Sequence, residues 1–160
     1  MRLNRIRARN FVMGVEGDHF HHVKGDRGGP TSAYGIILAT AKRLKLDLDN
    51  DGDVDIDDLK LITEEDVDRV FNKYFWDAIN GDALPGGVDL IAADIAWNSG
   101  PGKFRQFLVE GWATTPLALT ERRKRFYNFQ ADNVPGQAKF RNGWLKRADL
   151  AFEESKKCEV

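Results

Sequence analysis

Residues 47–58 read Asp-Leu-Asp-Asn-Asp-Gly-Asp-Val-Asp-Ile-Asp-Asp, seven aspartates in twelve positions. No packed element accommodates such a run, because the like charges repel at helical and at strand spacing, and an unpaired carboxylate cannot be buried cheaply. The segment must be a surface loop, and it needs a counterion. From Asp47 to Asp68 the chain places eleven of its 25 acids and one of its 24 bases, Lys60, a local net charge of −10 in a chain whose formal net is −1. The other 138 residues therefore carry +9. That asymmetry describes a basic domain with one acidic insert. A basic surface suits an anionic partner such as nucleic acid, an acidic polymer or a cell envelope.

The chain has 160 residues, 42% hydrophobic and 31% charged. That is enough for one domain with a core that needs no disulfide. Cys158 is the only cysteine, which excludes a disulfide framework and a cysteine zinc site. No apolar stretch is long enough to span a bilayer. Met1 to Asn10 carries four arginines with no apolar segment after them. No Sec signal is visible, and a monomer without stable membrane insertion is expected.

Helical signals dominate. Asn10 is a candidate cap for a short helix over Phe11, Val12 and Val15, with Gly17 as its stop. Residues 24–36, KGDRGGPTSAYGI, read as loop and small β-hairpin. Ile36 to Leu46 has helical content. Thr63 followed by Glu64, Glu65 and Asp66 caps a helix whose inner face should hold Val67, Val70, Phe71 and Tyr74. Val88, Ile91, Ala92 and Ile95 repeat at helical spacing, another helix lies near Phe104–Gly111, and Thr115-Pro116 opens the next. A last amphipathic helix is expected from about Ala138 to Ser155, with Phe140, Trp144, Ala148 and Phe152 inward. The fold class is α+β, mainly helical.

Within the acidic run the spacing matches a twelve-residue EF-hand loop. Carboxylates fall at positions 1, 3, 5, 9 and 12, Gly52 at the sharp turn of position 6, and Val54 at the apolar position 8. Asp47, Asp49, Asp51 and Asp58 would ligate Ca2+ through their carboxylates, Asp53 through its backbone carbonyl, and Asp55 through water. Position 12 is Asp58 rather than Glu, as in dockerin-type loops. EF-hand sensors pair two loops and here there is one, so a structural ion is favoured over a signalling one.

Glu16 follows a short apolar helix. Apolar neighbours and a helix C-terminus both disfavour its charged form. A carboxylic acid kept protonated near neutral pH can donate the proton that a departing glycosidic oxygen requires. Asp26 and Thr31, in the glycine-rich stretch, could hold and activate a water opposite that acid. His19, His21 and His22 match no helical zinc pair and read as loop residues. Trp76, Trp97, Trp112 and Trp144 are each either core or sugar-stacking, and Tyr34, Asn98 and Gln106 are candidates for substrate hydrogen bonds.

The stretches Val15-Glu16-Gly17-Asp18, Gly25-Asp26-Arg27-Gly28-Gly29-Pro30-Thr31 and Tyr34-Gly35-Ile36 resemble the front motif of glycoside hydrolase family 108. Tyr74-Phe75-Trp76-Asp77, Leu84-Pro85 and Asp94 to Gly100 resemble a second block of that family. Phe126-Tyr127 and Gly143-Trp144-Leu145-x-Arg147 look like the peptidoglycan-binding region that follows it. The resemblance implies a lysozyme-like fold and N-acetylmuramidase activity on peptidoglycan, of the phage endolysin type that lyses the host cell. With no Sec signal visible, it also implies a protein made in the bacterial cytoplasm and acting on the cell wall after release. Glu16 would be the acid, with Asp26 and Thr31 as its partners. Asp18 replaces the second glycine of the motif. A single domain over residues 1–160 is implied, with the catalytic part and its insert in about 1–90 and the helical region in about 91–160.

Two alternatives stand beside hydrolysis. Lytic transglycosylation uses the same fold and acid with the muramic 6-hydroxyl in place of water. A non-catalytic, calcium-dependent dockerin-like module would use the acidic loop alone. No nucleic-acid-binding signature accompanies the positive charge. Arg122 to Arg125 with Lys139, Arg141, Lys146 and Arg147 are either an envelope-binding face or ordinary solvated helix faces.

Overall fold

The computed structural model describes residues 2–16, 32 and 35–159, without the side chains of Arg2, Val15 and Glu16. Helix α1 is Arg2–Glu16, α2 Leu38–Leu44, α3 Ile56–Leu61, α4 Glu64–Val70, α5 Val88–Ser99, α6 Pro101–Val109, α7 Pro116–Asn133 and α8 Arg141–Ser155. A π-helical turn, Phe71–Trp76, and 3-10 turns at Asp77–Ile79, Gly81–Ala83 and Ala138–Phe140 complete the elements. No strand occurs among the described residues. Most of the expected hairpin at 24–36 lies outside them. Within it, the Gly35 N–H donates to the Ser32 carbonyl at 3.1 Å and the Ser32 N–H to the Ile36 carbonyl at 2.8 Å, with Gly35 at φ +84°. That is the bonding of a tight turn with glycine in the left-handed position.

Contacts divide the chain into two compact units, Met1–Val12 with Phe71–Val160, and Met13–Val70. In the first, α5 is the central rod, buried from Val88 to Ala96 without interruption and packed by α6, α7 and α8. The front half of α1 joins this unit through Asn4, Ala8 and Val12, buried at i, i+4 and i+8. Asn4 Nδ2 donates to Asp89 Oδ2 and to the Glu159 carbonyl, both at 2.9 Å, and the Glu159 N–H returns a bond to Asn4 Oδ1. Asn10 is therefore not a cap. The helix begins at Arg2 because the buried stripe starts at Asn4, and Asn10 lies exposed within it.

The other helix ends follow local chemistry. Thr115 caps α7 by accepting the Ala118 N–H at 3.1 Å, with Pro116 in the first turn. Asp66 accepts from the Thr63 N–H and hydroxyl at the start of α4. In the second unit, α2 closes on Lys45 at φ +54°, with the Leu46 N–H reaching back to the Ala41 carbonyl. This turn leads into the acidic loop.

Two inner faces differ from the expected ones. The wider π turn after α4 brings Phe75 inward and leaves Tyr74 half-exposed, where an unbroken α-helix would bury Tyr74. On α8 the buried positions are Arg147, Ala148, Ala151 and Ser155, while Phe140, Trp144 and Phe152 lie at the margin. Small residues occupy the close helix contact and large rings flank it.

Candidate functional site

Glu16 is the last described residue of α1, and its side chain lies outside the described residues. Asp26, Thr31 and Tyr34, with His19, His21 and His22, lie outside the described residues.

The acidic loop can be built atom by atom. The Gly52 N–H donates to Asp47 Oδ2 at 3.2 Å, the Asp51 N–H to Asp49 Oδ1 at 3.2 Å, and the Asp53 N–H to Asp51 Oδ1 at 3.0 Å. Gly52, at φ +99°, makes the sharp turn. Asp55 caps α3 by accepting the Asp57 N–H at 2.7 Å, and Asp58 completes the capping box by accepting the Asp55 N–H at 2.8 Å. The other Asp58 oxygen takes the Leu48 N–H at 2.5 Å. These backbone donors, Asp55 and Leu48 first, hold the Asp58 carboxyl below its ordinary range.

One oxygen each of Asp47, Asp49 and Asp58 lie within 4.8 Å of one another, and so do one each of Asp53, Asp55 and Asp58. Asp51 belongs to neither triplet. Asp47 Oδ1 is buried and has no hydrogen-bond partner. Desolvation pushes the Asp49 carboxyl up, and Asp51, Asp58 and Asp47 add to the rise against the Asp51 N–H bond. Asp53 is pushed up first by the charge of Asp51, then by desolvation and by Asp55. Crowded carboxylates and one orphaned inner oxygen fit a hard divalent cation, which would reverse the repulsion.

A second charged centre lies in the core of the other unit and was not read from the sequence. Asp94 of α5, wholly buried, receives Arg147 of α8 through Nη2 at 2.7 Å and Nε at 3.0 Å. Arg123 Nη1 of α7 stands 2.7 Å from the other Asp94 oxygen. Burial would raise the Asp94 carboxyl, but Arg147 and Arg123 outweigh it and hold the group low. Arg123 Nε donates to the Tyr127 hydroxyl at 2.8 Å, and so does Asn98 Nδ2 at 2.8 Å. Arg123 and Arg147 are thus core residues and not part of a basic face. The missed signal was Asp94, a carboxylate in the middle of the apolar run from Leu90 to Trp97, which requires a buried cation.

Three other basic residues of that set are paired with acids: Arg122 with Glu110, Lys124 with Asp149 and Glu121, and Arg141 with Asp132. Gln106 is engaged by Lys103 and Glu110. Trp76 is core, its indole N–H on Asp82 at 3.2 Å. Trp97 is half-buried against Phe75 and Phe71, Trp112 lies under Arg125, and Trp144 stacks on Tyr127.

The model of the Glycosyl hydrolase 108 family matches residues 9–100, more than half of the chain, and includes Glu16 and Asn98. The chain belongs to glycosyl hydrolase family 108. It is accordingly a glycoside hydrolase acting on peptidoglycan. The solved structure of SagA from Brucella abortus matches at a TM-score of 0.74 and 23% identity, over 98% of this chain and 95% of that one. At that identity the match establishes a shared fold. No curated protein matches the sequence. Among the described residues no helix is long and apolar enough to cross a membrane.

Proposed function

We propose that this family 108 member is an N-acetylmuramidase of lysozyme-like fold. It cleaves the β-1,4 bond between N-acetylmuramic acid and N-acetylglucosamine, with Glu16 as general acid. The observation that carries the reading is a family match that spans Glu16. A carboxylic acid at that position can give the departing oxygen its proton. Asp26 and Thr31 hold the attacking water, a pairing that favours hydrolysis over transfer to the muramic 6-hydroxyl.

Digestion of purified peptidoglycan by the protein and by Glu16→Gln, with fragments identified by mass spectrometry, tests the assignment. Muropeptides ending in reducible N-acetylmuramic acid, absent with the variant, are expected. Anhydro-ended fragments would make the enzyme a lytic transglycosylase, and undiminished cleavage by Glu16→Gln would remove Glu16 as the acid.

The acidic loop is proposed to bind one Ca2+ that fastens α2 to α3. Asp47, Asp49, Asp51 and Asp58 act through carboxylates, Asp53 through its carbonyl and Asp55 through water. The orphaned Asp47 Oδ1 is the main support for this reading. Calorimetric titration should show a single site, and absence of heat at millimolar calcium would remove it.

A further inference from the structure

The ion cluster around Asp94 is wholly internal, yet its hydrogen bonds lead to one exposed side chain. From Asp94 the contacts run to Arg123, from Arg123 Nε to the Tyr127 hydroxyl, and from that hydroxyl to Asn98 Nδ2. Arg123 is 1% exposed and Tyr127 2%, whereas Asn98 stands in solvent near the end of α5. Arginine Nε can only donate, so the phenol oxygen must face it as acceptor, which fixes the hydroxyl. The ring is fixed as well, stacked on Trp144 at 5.4 Å and 25° and lying under the Arg123 guanidinium at 5.2 Å.

This places a rigid group behind a surface amide. Asn98 Nδ2 is committed to Tyr127, and Oδ1 has no protein partner among the described residues. An asparagine clamped by its nitrogen presents its oxygen outward as an acceptor of fixed direction. Beside it in the chain, Trp97 is backed by Phe75 at 4.7 Å and Phe71 at 6.2 Å and stays partly exposed. An indole and an amide carbonyl held by the core are what a sugar bearing an acetamido group needs. The ring C–H face meets the indole, and the acetamido N–H meets the carbonyl.

We infer that Asn98 Oδ1 accepts the acetamido N–H of a glycan residue and that Tyr127, braced by Arg123, is the positioning residue that orients it. The inference rests on the proposed muramidase reading for its substrate. It gives the helices after residue 100, which the family match does not reach, a part in the substrate site. A fixed acceptor lowers the entropy lost on binding. Its loss therefore weakens ground state and transition state alike, which raises KM and leaves kcat.

The test compares wild type, Asn98→Ala, Tyr127→Phe and the double variant. Each is assayed on a tetrasaccharide of alternating N-acetylglucosamine and N-acetylmuramic acid without stem peptides, with its melting temperature recorded. Tyr127→Phe keeps the stacked ring and removes only the hydroxyl. Both single variants should raise KM by about threefold to tenfold, the value of one neutral hydrogen bond, at unchanged kcat. The double variant should be no worse than Asn98→Ala. An unchanged KM in Tyr127→Phe beside a lowered melting temperature would make Tyr127 merely structural and overturn the inference. Unchanged KM in Asn98→Ala, or multiplying effects in the double variant, would overturn it too. If wild type does not cleave the tetrasaccharide, the muramidase reading fails, and titration of the same sugar into the four proteins decides. Binding weakened equally by both single variants upholds the inference, and no binding by wild type overturns it.

Discussion

Replacing Asp94 by alanine would remove the carboxylate that two buried guanidinium groups share. The carboxylate has no solvent exposure and lies 2.7 Å from both Arg123 Nη1 and Arg147 Nη2. Arg123 is itself 1% exposed and Arg147 9%, so water cannot take over the lost partner without opening the packing of α5, α7 and α8. Removal of one member of such a buried set costs about 3–5 kcal/mol, most of it the penalty of the uncompensated charge left behind. At ~2–4 °C per kcal/mol for a chain of this size, Asp94→Ala should melt about 6–20 °C below wild type. Asp94→Asn keeps the volume and one acceptor and should lose less. Combined replacement, Asp94→Leu with Arg123→Met and Arg147→Met, should recover much of the loss because no charge remains to be desolvated. Thermal unfolding followed by circular dichroism between pH 2 and pH 7 reads all of these. The folded Asp94 carboxyl is held below its unfolded value of 3.8, so its contribution is present above that pH and lost as pH falls through the folded value. The gap between wild type and Asp94→Asn should therefore narrow below about pH 4. A melting temperature for Asp94→Ala within about 2–4 °C of wild type, or a gap that ignores acid, would refute the cluster as the brace of these helices.

Three further outcomes follow from particular contacts. In Gly81→Ala the new Cβ would lie 2.5–2.9 Å from the buried Trp76 indole, so urea unfolding should show a loss of about 1–3 kcal/mol; an unchanged midpoint would mean that the 3-10 turn shifts freely. Asn4→Ala leaves the buried Asp89 carboxylate without its side-chain donor, at a cost of about 1–3 kcal/mol by the same measurement. Burial raises the Asp89 carboxyl despite the bonds from Asn4, Leu90 and Gly87, so the folded state holds its proton to higher pH than the unfolded state. Its contribution to stability accordingly falls as pH rises from 3.8 through the folded value, and the Asn4→Ala deficit should be larger at pH 7 than at pH 4. If the loop binds calcium, the ion at a hundred times its dissociation constant should add about 2.7 kcal/mol to wild type and little to Asp47→Ala; equal shifts in the two proteins would disconnect the stabilisation from this loop.

Legibility in the sequence followed the range of the physics involved. Local rules located the cap at Thr115, the acid-first start of α4 and the loop character of Asp47 to Asp55, because a few consecutive residues decide each, while the end of the acidic run, Ile56 to Asp58, became the first turn of α3. The start of α1 was misplaced because Asn10 looks like a cap until Asn4, Ala8 and Val12 are seen to form one buried stripe. The choice of Phe75 over Tyr74 depends on a π turn that propensity does not encode. Arg123 and Arg147 were read as surface charge because their partner is 29 residues from one and 53 from the other, across three helices. The residues of the proposed acid and water-holding pair were legible only through their resemblance to family 108. Asn98 could be named as a candidate from the sequence, but not the Tyr127 hydroxyl behind it.

The same cluster bears on how much of the chain the activity needs. A helix with one apolar stripe can stand at a surface, but α5 is buried at every position from Val88 to Ala96, so it needs neighbours all round. The turns between Phe71 and Ala83 supply part of that cover, but α6, α7 and α8 lie beyond the family match that ends at residue 100. Asp94 reinforces the point, since the cations that neutralise it come from α7 and α8. A chain stopped at Gly100 would expose apolar faces of that rod to water and strip Asp94 of both arginines, and Asn98 would lose its tyrosine. The segment after residue 100 is therefore the other half of the core in which the matched segment folds, whatever it binds in addition.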